Sequence, residues 1–186
     1  RLMKLDICFL SHEDMLLLRQ FRGGADAGIS DLKIMLAAMN FGGMVDMEAG
    51  DYQMVSFRGA WAREMEKTVQ PCRGTVSGGS RTGTSSSRCN PFVMLCRPDT
   101  GEESGECWGF NLLYSGNHFY AAEENAFGQV RFLQGIGTEG FSWQLAPGDS
   151  FDAPEAVMTY GRGFGAVSRQ MHAFVRRHIV RGYWRD

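Results

Sequence analysis

Residues 105–160, GECWGFNLLYSGNHFYAAEENAFGQVRFLQGIGTEGFSWQLAPGDSFDAPEAVMTY, decide the fold class of this chain. Some of its aromatic residues are spaced two positions apart, as in Trp108 and Phe110 or Phe141 and Trp143. A period of two places such residues on one face of a strand. Turn-forming groups such as Ser-Gly-Asn and Ala-Pro-Gly-Asp separate the runs. Short strands at this spacing indicate an antiparallel sandwich or barrel.

The same pattern predicts strands outside this segment. The complete set of predicted strands is 2–10, 51–57, 61–69, 92–96, 108–114, 129–134, 141–145 and 156–160, with 15–21 completing an N-terminal hairpin and a tight bend at 58–60. Residues 32–39 fit either a helix or a strand, because the run is short and rich in Ala and Met. Residues 70–90 are rich in Gly, Ser, Thr and Arg. They predict a long loop of functional interest, with an interdomain linker as the alternative.

The last segment changes its period from two to that of a helix. Apolar residues fall at i, i+4, i+7, i+8 and i+12, on one face of an amphipathic helix; they are Val167, Met171, Phe174, Val175 and Ile179. Arginines concentrate toward the C-terminal end, where positive charge suits the helix dipole. We expect these arginines to form a solvated or interdomain face.

Composition limits the classes of protein that fit. With 186 residues the chain is long enough for one domain with a sizeable core. A net charge of −2 gives no reason to expect binding to nucleic acid or to an anionic membrane. No apolar run approaches the ~18 residues of a membrane span. The chain begins with Arg1 rather than Met, and a predicted strand starts at residue 2, so we expect the chain to be part of a longer protein.

The five cysteines show no Cys-x-x-Cys pair, which argues against a zinc ribbon. Free cysteine tends to be buried as a small apolar residue. We therefore expect reduced, structural thiols in a cytoplasmic protein, with no metal and no other cofactor.

Two glycine patterns resemble a dinucleotide fingerprint without its structural context. Residues 135–140 match G-x-G-x-x-G, but another predicted strand follows where the phosphate site needs a helix N-terminus. Residues 161–166 do lie between a strand and a helix, but no further strand completes a βαβ unit. Nucleotide binding is therefore not predicted.

Candidate catalytic groups are present without a pattern that selects them. The serines at 85–87 lack the G-x-S-x-G turn that exposes a nucleophile, although His118 or His172 as a base remains open by spacing. The glutamate pairs 102–103 and 123–124 suit acid–base chemistry only if two carboxylates face each other across a cleft. Adjacent glutamates usually face water instead.

The aromatic residues have two possible roles, a hydrophobic core or a face that stacks on sugars. The alternating pairs fit a sandwich core, and we favour that interpretation. Solvent exposure of Trp108, Trp143 and Tyr114 discriminates between the two roles. A coplanar exposed row would indicate a freestanding carbohydrate-binding module, and a plain structural or interaction domain is the third possibility.

Several blocks of this sequence, in order, resemble the N-terminal domain of family 36 glycoside hydrolases, the bacterial and fungal α-galactosidases. The blocks are Gly59-Ala-Trp61-Ala-Arg63-Glu64, then Ser80-Arg-Thr-Gly83-Thr-Ser85-Ser86 with Asn90-Pro91-Phe92, then Tyr114-Ser-Gly-Asn117, then residues 141–157. One departure is Ser87-Arg88-Cys89, where family members often have a histidine after the paired serines.

The resemblance implies a mainly β fold, an antiparallel β-supersandwich with a C-terminal linking helix. Residues 1–163 would form part of the supersandwich, and residues 164–186 the helix that leads to a catalytic (β/α)8 barrel outside this chain. The family hydrolyses terminal α-galactosides, such as those of raffinose and melibiose, with two barrel aspartates in a retaining mechanism. Neither aspartate has a counterpart here, so no catalytic residue is assigned.

The resemblance also implies homo-oligomers, and the sequence suggests where their contacts lie. A long polar loop beside an aromatic and arginine cluster has the composition that protein interfaces favour. The candidate interface residues are Trp61, Arg63, Glu64, Ser85, Ser86 and Asn90.

Overall fold

The computed structural model describes residues 3–5, 42–85, 88–142, 144 and 151–183, with side chains from Val45 onward. Its strands are β1 Met3–Leu5, β2 Gly42–Asp46, β3 Gln53–Ala60, β4 Arg63–Pro71, β5 Thr75–Ser80, β6 Cys89–Cys96, β7 Glu106–Leu112, β8 His118–Glu124, β9 Val130–Ile136 and β10 Ala156–Arg162. Helix α1, Phe164–Phe174, follows and continues as one π-helical turn, Val175–Ile179.

These strands form two sheets in which every described pairing is antiparallel. One sheet has six strands in the order β1-β10-β7-β6-β3-β4, and the other has four in the order β2-β9-β8-β5. Strands distant in sequence pair directly, as β1 does with β10 and β2 with β9. The predicted sandwich architecture with a C-terminal helix is therefore confirmed.

The main core lies between the two sheets and is built from alternate residues of facing strands. Phe110 of β7 stacks on Phe132 of β9 with ring centroids 4.2 Å apart. Trp108 is partly buried and packs against the same cluster, 5.8 Å from Tyr52 and 5.3 Å from Tyr160. For Trp108 and Phe110 the core interpretation is confirmed. Trp143 lies outside the described residues.

A second core lies between the outer face of the six-stranded sheet and α1. Val167 of the helix packs there with Val55, Met94, Cys96 and Cys107. Strand β6 is thus buried on both faces, because its remaining residues face the other sheet. Burial on both faces accounts for the uninterrupted apolar run that predicted this strand.

The connection between β6 and β7 caps the first turn of α1. The backbone N–H groups of Gly163, Phe164 and Gly165 donate to carbonyl oxygens of this connection at 2.8 to 3.0 Å. These donors have no partner within the helix, so the loop satisfies groups that would otherwise stay unpaired. Gly163 has φ +82°, a conformation that favours glycine.

The predicted helical face is correct for its first turns and wrong for its end. Val167 and Met171 are buried, whereas Ile179 is 44% exposed. The reason is the change from α-helical to π-helical geometry after Phe174, which shifts the angular position of later residues.

The prediction of a single irregular stretch at residues 70–90 is wrong, because β5 lies within it. The glycines that suggested a loop are required by packing. A Cβ on Gly78 would lie 2.5 Å from the Tyr120 hydroxyl oxygen, and one on Gly79 would lie 2.2 Å from the His118 carbonyl oxygen. Strand β8, which pairs with β5, was also absent from the predicted set.

Two smaller predictions need correction, and two cannot be compared. The bend between β3 and β4 lies at Trp61 and Ala62, not at 58–60. Ala62 adopts φ +62°, a turn conformation more usual for glycine, so its residue type did not indicate the bend. Residues 141, 142 and 144 form no strand, although 141–145 were predicted to do so. The predicted hairpin beyond Leu5 and the ambiguous run 32–39 lie outside the described residues.

Candidate functional site

The tip of the β3–β4 hairpin presents an indole to solvent. Trp61 is 92% exposed. The turn below it is fixed by local bonds: the Ala62 N–H donates to the Glu64 carboxylate at 3.1 Å, and Arg63 pairs with Glu66 at 3.3 Å. A large apolar side chain on a well-held turn is suited to contact another surface rather than the domain's own core.

The hairpin carries further apolar surface along β4, an edge strand of the six-stranded sheet. Met65 is 53% and Val69 44% exposed. Met65 also has φ +59°, which is uncommon for a residue other than glycine. Strained backbone of this kind often occurs where a side chain must be held in a particular direction.

The structure brings most, but not all, of the predicted interface residues together. Asn90 contacts the hairpin because its side-chain amide donates to the Met65 sulfur at 3.5 Å. Ser85 instead donates its backbone N–H to Ser115 at 2.7 Å, on the connection between β7 and β8. Ser86 lies outside the described residues. Whether any of these residues forms an interface stays a prediction.

A cavity of about 580 Å³ opens between the ends of the two sheets. Arg58 of β3, Ser80 of β5 and His118 of β8 are among its lining residues. Arg81 is also on its wall and pairs with Glu139 at 2.9 Å. Sequence reasoning considered His118 only as a hydrolase base and did not find the cavity, since no local pattern joins these strands.

His118 is the most unusual group on the cavity wall. It is 2% exposed, and neither ring nitrogen reaches full hydrogen-bond geometry with a described residue, although the Gly116 backbone lies close enough to interact with the ring. Burial lowers the pKa of His118, and the nearby Gly116 backbone only partly opposes this effect. Tyr120 lies beside it with its hydroxyl 3.1 Å from the Cys89 sulfur, and burial raises the pKa of Tyr120 to about 12.

The lowered pKa of His118 predicts a dependence of stability on pH. As pH falls below the unfolded value of ~6.5, the unfolded chain takes up a proton that the folded chain does not. Stability is therefore lost until pH reaches the folded pKa, with a slope of up to ~1.4 kcal/mol per pH unit. Urea unfolding between pH 7 and 5 should show a shallower decline for His118→Gln. Thr138→Ala, also on the cavity wall, should keep the wild-type slope; an equal change in both variants would refute the assignment.

The cysteines confirm part of the prediction made for them. Cys72, Cys89, Cys96 and Cys107 are free and buried, while Cys8 lies outside the described residues. Burial raises the pKa of Cys96 to about 11 and the pKa values of Cys72 and Cys107 to about 12. Such thiols are poor nucleophiles at neutral pH.

The described ranges contain neither a metal-binding cluster nor a helix that could span a membrane. No three His, Cys, Asp or Glu side chains among the described residues are grouped so that they could hold a metal ion. In the same part of the chain, no helix combines the length and the apolar character that crossing a membrane requires.

Comparison with known proteins gives a consistent result. Residues 34–146 match the model of the glycosyl hydrolase family 36 N-terminal domain. Alpha-galactosidase C of Emericella nidulans is 40% identical over 139 residues, 74% of this chain and 18% of that protein. Alpha-galactosidase AgaA of Geobacillus stearothermophilus is 38% identical over 144 residues, 76% of this chain and 20% of that protein. The chain thus spans about a fifth of the length of these relatives.

Solved structures agree with the sequence comparisons. The crystal structure of AgaA superposes with a TM-score of 0.74 at 38% identity, over 77% of this chain and 20% of that one. The α-galactosidase from Lactobacillus brevis gives a TM-score of 0.71 at 40% identity, over 74% of this chain and 19% of that one.

Proposed function

Because this chain belongs to the glycosyl hydrolase family 36 N-terminal domain family, we propose that it is the non-catalytic N-terminal part of an α-galactosidase. The observation that carries the proposal is the extent of the match, which includes all of β2 to β9 and so most of both sheets. The relatives matched over this region are named as α-galactosidases. Residues 1–163 would be the sandwich part, and residues 164–186 the helix linking it to a barrel.

The chemistry would be carried out by that barrel. A retaining glycosidase uses one carboxylate as nucleophile and a second as acid and then base, ~5–5.5 Å apart. The substrate class would be terminal α-galactosides. The alternating aromatic residues Trp108 and Phe110 fit a supporting role, because they pack inside the sandwich and so are not available as a sugar-stacking row.

We also propose that the β3–β4 hairpin tip makes oligomer contacts in the whole enzyme. Support comes from the exposure of Trp61 and from the bonds that hold the turn beneath it. Tryptophan is enriched among the residues that dominate binding energy, and arginine is enriched with it. Arg63 lies two residues along the same turn and is itself exposed.

One experiment tests both the non-catalytic role and the assignment to an α-galactosidase. The chain alone, and the chain expressed with the coding sequence that continues beyond Asp186, are assayed for hydrolysis of a chromogenic α-galactoside. Only the extended protein should be active; turnover by the 186-residue chain would disprove the non-catalytic role. An inactive extended protein that lacks two barrel aspartates would disprove the assignment to an α-galactosidase.

The interface is tested in the same extended protein with Trp61→Ala. Loss of a central interface tryptophan typically costs at least ~2 kcal/mol, so the dissociation constant should rise at least ~30-fold in sedimentation experiments. Phe127→Ala is the matched control, because Phe127 is also an exposed aromatic at a hairpin turn. Equal self-association of both variants would show that the tip is not an interface.

A further inference from the structure

Two buried thiols lie directly opposite each other on neighbouring strands. Cys96 at the end of β6 is the register partner of Cys107 near the start of β7. One step further along, the Arg97 N–H donates to the Glu106 carbonyl oxygen at 3.1 Å. Hydrogen-bonded and non-hydrogen-bonded pairs alternate along an antiparallel ladder. Cys96 and Cys107 therefore occupy a non-hydrogen-bonded pair, the arrangement with the closest side chains.

This position satisfies the main geometric requirement of a disulfide. Non-hydrogen-bonded partners have Cα atoms ~4.5 Å apart, within the ~4.4–6.8 Å range found across disulfides. Their Cβ atoms are ~4.5–5.5 Å apart, and a disulfide brings this distance to ~3.5–4.5 Å. Closing the bond therefore requires a shift of about 1 Å between the strands and no change of register.

In the reduced protein the two sulfur atoms make weak contacts, and Cys96 also interacts with the Thr100 side chain. The Cys96 thiol donates to the Gln53 carbonyl oxygen at 3.7 Å, and the Cys107 thiol lies 3.6 Å from the Met94 sulfur. Thiols are weak hydrogen-bond donors, so little is lost when these side chains rotate toward each other. Both belong to the cluster beneath α1, on the same face of the sheet.

We propose that Cys96 and Cys107 form an oxidative modification site, a disulfide that joins β6 to β7 beneath α1. The oxidant would be a low-molecular-weight disulfide such as oxidised glutathione. One protein thiolate attacks it and forms a mixed disulfide, with release of one glutathione. The second protein thiolate then attacks the protein sulfur of that mixed disulfide and releases the other glutathione. Two protein S–H bonds are lost, one S–S bond forms, and the two glutathione thiolates take up the protons.

The other described cysteines are less well placed. Cys89 and Cys72 belong to the core between the sheets, on the opposite face of the six-stranded sheet from Cys96. Cys89 also interacts with the Tyr120 hydroxyl at 3.1 Å. The Cys72–Cys96 pair is the chief competitor, because Cys72 and Cys96 lie close enough for their charges to interact.

The disulfide would constrain the segment that caps the helix. It closes a ring around residues 97–106, and this ring contains the carbonyl groups that accept from the first turn of α1. The two thiols are almost fully buried, so oxidation requires either the folding reaction or a local opening of this connection. In folded protein, the Cys96–Cys107 disulfide would therefore show that the connection between β6 and β7 had opened in an oxidising environment.

The test is refolding of the full 186-residue chain from urea in a glutathione buffer, which lets all cysteine pairs compete. Remaining thiols are alkylated, and the disulfides are identified by mass spectrometry of proteolytic peptides. We expect the Cys96–Cys107 pair to dominate. The melting temperature should rise by ~5–10 °C on oxidation and return on reduction with dithiothreitol.

Two variants make the result decisive. Cys107→Val should abolish both the cross-link and the redox-dependent shift, while Cys89→Val should retain both. A dominant Cys72–Cys96 pair, a mixture without preference, or full alkylation of Cys96 and Cys107 in refolded protein would each overturn the proposal. An equal melting shift in Cys107→Val would overturn it as well.

Discussion

Replacement of Phe132 by alanine is expected to lower the free energy of unfolding by ~3–5 kcal/mol. Phe132 is 1% exposed and stacks on Phe110 of the opposite sheet, with ring planes inclined by 27°. The substitution removes apolar contact on both sides of the interface between the sheets. The neighbouring backbone belongs to regular strands, so the cavity cannot close completely.

Urea unfolding of the chain measures this effect, and Phe127→Ala is its control. Phe127 is the same residue type on the turn that precedes β9, but it is 83% exposed. Its replacement should change the free energy of unfolding by ~0.5 kcal/mol or less. Similar losses for the two variants would contradict the position of Phe132 at the centre of the core.

Replacement of Gly163 by alanine is the second large effect, with an expected loss of ~2–6 kcal/mol in the free energy of unfolding. Two costs add. The backbone at φ +82° and ψ 157° lies in a region that is essentially restricted to glycine, and it disfavours any residue with a Cβ by ~1–3 kcal/mol. The new Cβ would also lie 2.3 Å from the Glu102 carbonyl oxygen, a backbone atom that cannot rotate away, and overpacking of this kind costs ~1–3 kcal/mol.

Gly128→Ala separates these two costs. Gly128 has φ +74°, but no other described atom lies within 4 Å of the position that its Cβ would take. It should therefore lose only a backbone cost of ~1–3 kcal/mol, with no steric cost added. Thermal unfolding followed by circular dichroism compares the two variants, and α1 should melt first in Gly163→Ala. Equal losses would mean that the loop does not press against the start of the helix.

The sequence was sufficient to predict the architecture wherever the burial of a strand or helix determines the spacing of its apolar residues. Alternation in β7 and the apolar run of β6 identified strands, and Val167 with Met171 identified the helix. It was insufficient where tertiary contacts override local preference. Strand β5 contains Gly78 and Gly79 because the Tyr120 side chain and the β8 backbone approach them closely, and no local pattern records that approach.

The two candidate sites also differ in how far the sequence alone predicts them. The hairpin tip could be predicted, because Trp61, Arg63 and Glu64 are adjacent in sequence and their composition alone suggests an interface. The cavity could not, because Arg58, Ser80 and His118 come from three strands that meet only in the folded chain. The sequence around His118 gives no sign that this histidine will be buried with ring nitrogens that lack well-placed partners.

The capped start of α1 has a mechanical consequence. Helix α1 has 11 residues and is therefore ~16 Å long. A tilt of ~10° at its base would move its far end by ~3 Å, a displacement set by this length. Because three loop carbonyl groups hold its first turn, the sandwich fixes the direction in which the chain leaves the sheets. The six-stranded sheet thus supports α1, and the loop between β6 and β7 sets the angle at which the helix leaves the sheet.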